Sequence, residues 1–109
     1  KSLVFCTDDG EPVLGIVSGA SRVDERKVSA QLGKAIHRAD AQFVRDKTGF
    51  SIGGVPPLGH RTPPAVMIDA ALQKVSPIWV AAGTPNAVFA LEFAELVSLT
   101  RASVLEVTL

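Results

Sequence analysis

The sequence is poor in the residues that most often carry catalytic or metal chemistry. Of its 109 residues, one is cysteine, two are histidine and none is tyrosine. A lone cysteine, Cys6, excludes an internal disulfide framework and fits a reducing compartment, so the expected location is the cytoplasm. Cys6, His37 and His60 are too few for a structural zinc site, and neither Cys-x-x-Cys nor His-Glu-x-x-His occurs, so no metal and no cofactor is expected. A nucleophile elbow is missing as well: Gly19-Ala20-Ser21-Arg22-Val23 fails at the closing glycine. No apolar run approaches the roughly 20 residues that span a bilayer, and no membrane partner is expected. Net charge is also absent, with 11 Lys plus Arg against 11 Asp plus Glu. That balance excludes a broadly basic nucleic-acid coat, and DNA is not an expected partner.

What remains is the material of one packed domain: 47% hydrophobic and 20% charged residues. A domain of this size buries only about 65% of its unfolded surface, so its packing must be efficient. The neutral balance hides a gradient. Residues 1–21 carry a net charge of −2, residues 22–61 a net +4 and the rest −2. A basic middle can steer a polyanion to one spot, although solvated helix faces account for most such charges.

Apolar alternation and turn residues predict strands over 1–6 and 13–17, joined as a hairpin through Thr7–Pro12. Asp24 and Asp40 are N-cap candidates, with Gly33 and Gly49 at the matching stop positions, so short helices are expected after each. Ile36 to Ala39 suits a short strand. Further strands are expected over 64–69, 78–82, 87–93 and 103–107, with a short helix over 93–99. Strands outnumber helices and the helices are scattered among them. This predicts an α/β (α+β) domain with a mixed, highly curved β-sheet and peripheral helices.

The concentrated signal lies between residues 49 and 64, which hold four glycines (Gly49, Gly53, Gly54, Gly59) and four prolines (Pro56, Pro57, Pro63, Pro64). Glycine permits close backbone approach and positive φ, whereas proline fixes φ and withholds an N–H. The result is a stiff strap with a few amides in fixed directions, suited to a carbonyl, carboxylate or phosphate. A rigid crossover between helix and strand explains the same composition. The strap is neither a Walker A loop nor a dinucleotide fingerprint. A second loop, Ala81-Ala82-Gly83-Thr84-Pro85-Asn86, offers a hydroxyl and an amide, and an ordinary tight turn explains it too. His60 leaves the strap and is the better functional histidine, but it has no visible Asp partner for a triad.

These segments resemble the YbaK/prolyl-tRNA synthetase-associated family of aminoacyl-tRNA editing domains. Lys1-Ser2-Leu3-Val4-Phe5 is similar to the family's Lys-[Thr/Ser]-Leu strand. Ser18–Asp24 followed by Lys27 is similar to its segment leading into a helix. Thr48-Gly49-Phe50 with Gly53-Gly54-Val55-Pro56-Pro57-Leu58-Gly59-His60 is similar to its Gly-x-x-Pro-Leu-Gly loop. Val66–Asp69, Trp79–Asn86 and the stretch from Glu95 to Ala102 match later segments, so the resemblance covers nearly the whole chain.

The resemblance implies a deacylase that hydrolyses the ester of a small misattached amino acid, such as Ala, Ser or Cys, on tRNA, with tRNA(Pro) the expected acceptor. It assigns Lys1 an anchoring role toward substrate phosphate or polar groups, and Gly59 is grouped with it as catalytic. Gly53, Gly54, Pro57 and Leu58 become the pocket wall, and donors from Gly54–Gly59 meet the oxyanion, each worth about 3 kcal/mol when preorganised. His60, Gly83 and Thr84 are assigned to the adenosine or ribose. A free ribose hydroxyl of the tRNA helps to activate water or the leaving group. Aminoacyl-tRNA is the implied substrate and prolyl-tRNA synthetase a possible partner. Family members carry a further N-terminal helix and strand before the key lysine, so residues upstream of Lys1 are expected and 1–109 is read as one domain lacking that segment. Two other readings stay open: a non-catalytic module that binds tRNA or a synthetase, and the editing domain inserted in a prolyl-tRNA synthetase.

Overall fold

A computed structural model describes residues 1–109. Seven strands, three helices and one 3-10 turn follow one another as β1 (Ser2–Thr7), β2 (Pro12–Ile16), α1 (Glu25–Leu32), β3 (Ile36–Arg38), α2 (Ala41–Thr48), β4 (Ala65–Asp69), the 3-10 turn (Ala70–Lys74), β5 (Ile78–Ala81), β6 (Val88–Leu91), α3 (Phe93–Thr100) and β7 (Ser103–Leu105). The main sheet runs β3-β1-β2-β4-β7. β1 is antiparallel to β2 and β3, whereas β4 is parallel to β2 and β7, so the sheet is mixed as expected. β5 and β6 do not join it. They form a separate antiparallel ribbon, a division that the strand pattern alone did not reveal.

The helix ends follow the capping chemistry. The Asp24 carboxylate accepts from the Arg26 and Lys27 amides, and Asp40 accepts from Phe43 N at 2.9 Å. Gly33 and Gly49 close α1 and α2 in the left-handed region, at φ 72° and 85°. The strand expected over 87–93 stops at Leu91 because Glu92 caps α3. Its amide donates to the Glu95 carboxylate at 2.9 Å while its own side chain accepts from the third helical residue, a reciprocal capping box. The strand expected over 103–107 ends at Leu105.

Strand alternation separates two cores on opposite faces of the sheet. Val4, Leu14, Ile16 and Ile68 face one core, which is covered by Val44 of α2, Val55, the ribbon residues Ile78 and Val80, and Leu96 of α3. Phe5, Val13, Val17 and Met67 face the other, covered by Val28 of α1, Ile36 and Val107. No helix is long and apolar enough to cross a membrane.

Candidate active site

The strap between α2 and β4 is pinned at both ends. Arg61 N donates to Thr48 O at 3.0 Å and Thr62 N to Lys47 O at 2.7 Å, so the chain returns to the helix it left. The buried Thr48 hydroxyl donates to Val44 O at 2.6 Å and accepts from Phe50 N at 2.9 Å. Arg45 reaches forward to the Ser51 hydroxyl at 2.7 Å. Gly53 and Gly59 take φ of 91° and 82°, which explains glycine at both positions.

The loop at the ribbon's tip docks on this strap. Gly83 N donates to Gly54 O at 3.0 Å, and a Cβ on Gly54 would sit 2.8 Å from Thr84 Cα. Gly54, Gly83 and Thr84 are thus brought together, as an assembly of backbone. The Gly54 amide donates to Ser51 O at 3.0 Å and is therefore not the free oxyanion donor that the resemblance implies. Pro56 and Pro57 have no N–H to offer. The amides of Gly53, Val55, Leu58 and Gly59 make no hydrogen bond within the chain; Gly53, Leu58 and Gly59 are exposed, whereas Val55 is buried.

His60 turns inward. Its Nε2 lies 2.6 Å from Pro56 O, and because a carbonyl only accepts, Nε2 carries the proton. Nδ1 is buried without a partner. The ring also meets Phe50 at a centroid distance of 6.0 Å. The imidazole that the resemblance assigns to adenosine or ribose gives its donor to Pro56 O and still lines a cavity beside the strap.

Two adjoining cavities lie beside the strap. The first is small, about 20 Å³, and is walled by Leu3 and Val4, by Ala39 and Val44, and by Gly53 and Val55 of the strap. Ser2 and Arg38 are the side chains in its lining with strong donors, and it contains no carboxylate or imidazole. The second, about 140 Å³, holds Lys1, Arg22, Arg38 and Glu25 above Leu3, Phe5 and Val23. Leu3 and Arg38 line both, while Val4, Val44 and Val55 of the first belong to one core and Phe5 and Val23 of the second to the other, so the two lie on opposite faces of the sheet and meet at these two residues. Three cations meet one carboxylate here, and none of them forms an ion pair; the chain's ion pair is Lys34 with Asp9 at 3.6 Å. Arg38 rests 5.8 Å from the Phe5 ring centroid, which steadies it without neutralising it.

The expected site residues are divided among these places. Gly53 lines the small cavity, and Lys1 lines the basic one through the shared wall. Pro57, Leu58, Gly59 and His60 line a different cavity of about 190 Å³ with Pro63, Pro64 and Leu99. Lys1 and Gly59, grouped as catalytic, thus share no cavity: the two consecutive prolines carry the chain past the small pocket before Gly59 is reached. The strap does not act as one wall. Ser2, Arg22, Arg38, Ala39 and Val44 were not singled out as site residues. The basic stretch over 22–61 was the signal for the two arginines, while the others are ordinary residues gathered by tertiary packing. The largest cavity, about 460 Å³ around Asp69, Lys27 and Lys74, shares no residue with either of the adjoining pair. No group of three or more His, Cys, Asp or Glu side chains is placed to hold a metal.

Comparison with known proteins bears on this geometry. The aminoacyl-tRNA editing domain model matches residues 1–99. A solved structure of a proposed trans-editing enzyme for prolyl tRNA synthetase is 41% identical, superposes with a TM-score of 0.95, and is covered over 69% of its length by the whole of this chain. The uncharacterized protein YwhH of Bacillus subtilis is 29% identical over 96 residues, which are 88% of this chain and 61% of YwhH. A proline–tRNA ligase of Brachyspira hyodysenteriae is 29% identical over 77 residues, 70% of this chain and 13% of the ligase. The chain thus spans under two thirds of the length of these two curated relatives.

Proposed function

Because the chain belongs to the aminoacyl-tRNA editing domain family, we propose that it is a deacylase that hydrolyses the ester joining a small, wrongly attached amino acid to the terminal adenosine of tRNA, with tRNA(Pro) as the acceptor. The observation that carries this reading is the adjacency of an acyl-sized apolar cavity and an unneutralised basic cleft across Leu3 and Arg38. One water-sized sphere needs about 10–15 Å³, so a cavity of about 20 Å³ suits a methyl or hydroxymethyl group. A proline ring, with its three ring methylenes, fits it less well than a methyl group. The cleft beside it suits the phosphate next to the acylated nucleotide, which Lys1, Arg22 and Arg38 would hold.

Water attacks the ester carbonyl, and the charge that develops on its oxygen meets the free amides of Gly53 and Val55. No side chain in the small cavity is a general base, so a ribose hydroxyl of the substrate takes that role. The ester C–O bond breaks, the departing ribose oxygen gains a proton, and free amino acid and tRNA leave. Similarity to a segment of a proline–tRNA ligase favours a second setting for the same chemistry, as an editing domain carried within a synthetase. A module that binds the acylated end without hydrolysis is the remaining alternative.

The test is release of amino acid from alanyl-tRNA(Pro) by the full-length protein and by Lys1→Ala. Turnover that falls in the variant supports the reading. Tight binding of aminoacyl-tRNA without release favours the module, and undiminished turnover in the variant removes Lys1 from the mechanism.

A further inference from the structure

The β5–β6 ribbon presents a face that none of residues 1–109 packs over, with Trp79, Val88 and Ala90 exposed and Ala81 half-buried. In its register Trp79 stands opposite Ala90 and Ala81 opposite Val88. Alternation turns Ile78, Val80, Phe89 and Leu91 toward the core and Trp79, Ala81, Val88 and Ala90 outward. All four outward residues are apolar, and Trp79, the sole tryptophan of the chain, is 62% exposed.

We infer that Trp79 is a stacking platform for an unpaired base of the tRNA acceptor end, next to the acylated nucleotide. This rests on the deacylase reading above and extends its binding surface. Two observations select the occupant. The first is continuity: β5 ends at Ala81, and two residues later Gly83 donates its amide to the strap at Gly54. The four residues from Trp79 to Gly83 span at most about 14 Å, a reach that a few unpaired nucleotides bridge. The second is size. A stable protein interface needs about 800 Å² on each partner, whereas one tryptophan, one valine and two alanines offer roughly 300 Å². That is too little to seat a second copy or a synthetase, yet it matches the flat face of a nucleobase. The two alanines leave the indole standing clear of its neighbours. Stacking on an aromatic ring is tolerant of base identity and is the usual way in which single-stranded RNA ends are held.

The experiment uses Trp79 as its own reporter. An unacylated RNA minihelix with an unpaired 3′ CCA end should quench its fluorescence saturably, and the same minihelix with a blunt end should not. Trp79→Ala should raise KM for alanyl-tRNA(Pro) about tenfold with kcat held, Trp79→Phe should restore most of the loss, and alanyl-adenosine, which lacks the upstream bases, should be cleaved equally by all three proteins. Unquenched fluorescence at saturating RNA, or an unchanged KM in Trp79→Ala, overturns the proposal. So does quenching by a synthetase or by self-association but not by RNA. If the wild-type protein cleaves neither ester, the deacylase reading fails and the fluorescence titration alone decides the platform.

Discussion

Gly54 and Thr84 meet backbone to backbone, so closely that a single added carbon on Gly54 would stand 2.8 Å from Thr84 Cα and 2.9 Å from its carbonyl carbon. The contact welds the strap to the ribbon and sets where the neighbouring Gly53 and Val55 amides point. The atoms in the way are backbone, which cannot swing aside as a side-chain tip can.

Gly54→Ala is therefore expected to lower stability by about 1–3 kcal/mol and to abolish most ester hydrolysis. Gly59→Ala is the control. Its φ of 82° makes alanine strained by about 1–2 kcal/mol, but open space surrounds the position and its cavity is not the acyl one, so hydrolysis should persist. Urea denaturation and single-turnover deacylation on both variants check the contrast.

The small cavity proposed to take the acyl group is closed by Val44 and Val55, both buried. Val55→Ala should cost about 2 kcal/mol of stability and widen the range of residues removed. Cleavage of a larger aminoacyl ester relative to the alanyl ester should rise about tenfold, the usual worth of a methylene in such a pocket. Deacylation of a panel of mischarged tRNAs gives the ratio directly.

Arg22 and Arg38 share the basic cleft without carboxylate partners within ion-pair distance. Replacing either with alanine should weaken tRNA binding and reduce the slope of log K against log salt by about 0.7–1, one phosphate contact for each arginine. Binding titrations at several salt concentrations measure it. An unaltered slope in both variants would remove the arginines from the phosphate contacts.

Cys6 sits in β1 with its thiol donating to Thr7 O at 3.2 Å. Burial chiefly, helped by Asp8 and opposed by Lys47, pushes the thiol above its ordinary value of 9.0. An acid whose folded pKa is raised binds more protons folded than unfolded once the unfolded thiol ionises. Its stabilising effect is therefore complete below about pH 9 and is lost as pH rises through the folded value. Stability should decline in that alkaline window, and the decline should be shallower in Cys6→Ala. Thiol alkylation near neutral pH should be slow until the protein is unfolded.

Much of the local architecture was legible because it is written in neighbouring residues. Asp24 with Gly33 and Asp40 with Gly49 mark two helices by caps alone. The hairpin of β1 and β2 follows from turn residues between apolar runs. The separate ribbon did not show: β5 and β6 pair as a local hairpin, but that β7 and not β5 takes the place beside β4 is decided by contacts distant in sequence. The 3-10 turn over Ala70–Lys74 also passed unseen, since it has no side-chain cap bond to mark it. At the site, glycine and proline flagged the strap, but composition cannot say which amides are already bonded. The resemblance placed Gly54 among the oxyanion donors, whereas its amide is spent on Ser51; it placed His60 at the adenosine or ribose, and the ring's donor bonds Pro56. Ala39 and Val44 were invisible as pocket walls because only the packing of α2 against β1 gives them that role.

Single-turnover cleavage of alanyl-tRNA(Pro) beside prolyl-tRNA(Pro), by the full-length protein, goes to the centre of the account. Rapid loss of the alanyl ester with the prolyl ester left intact is the expected result. Equal cleavage of both, or firm binding of the alanyl form with no amino acid released, would contradict it.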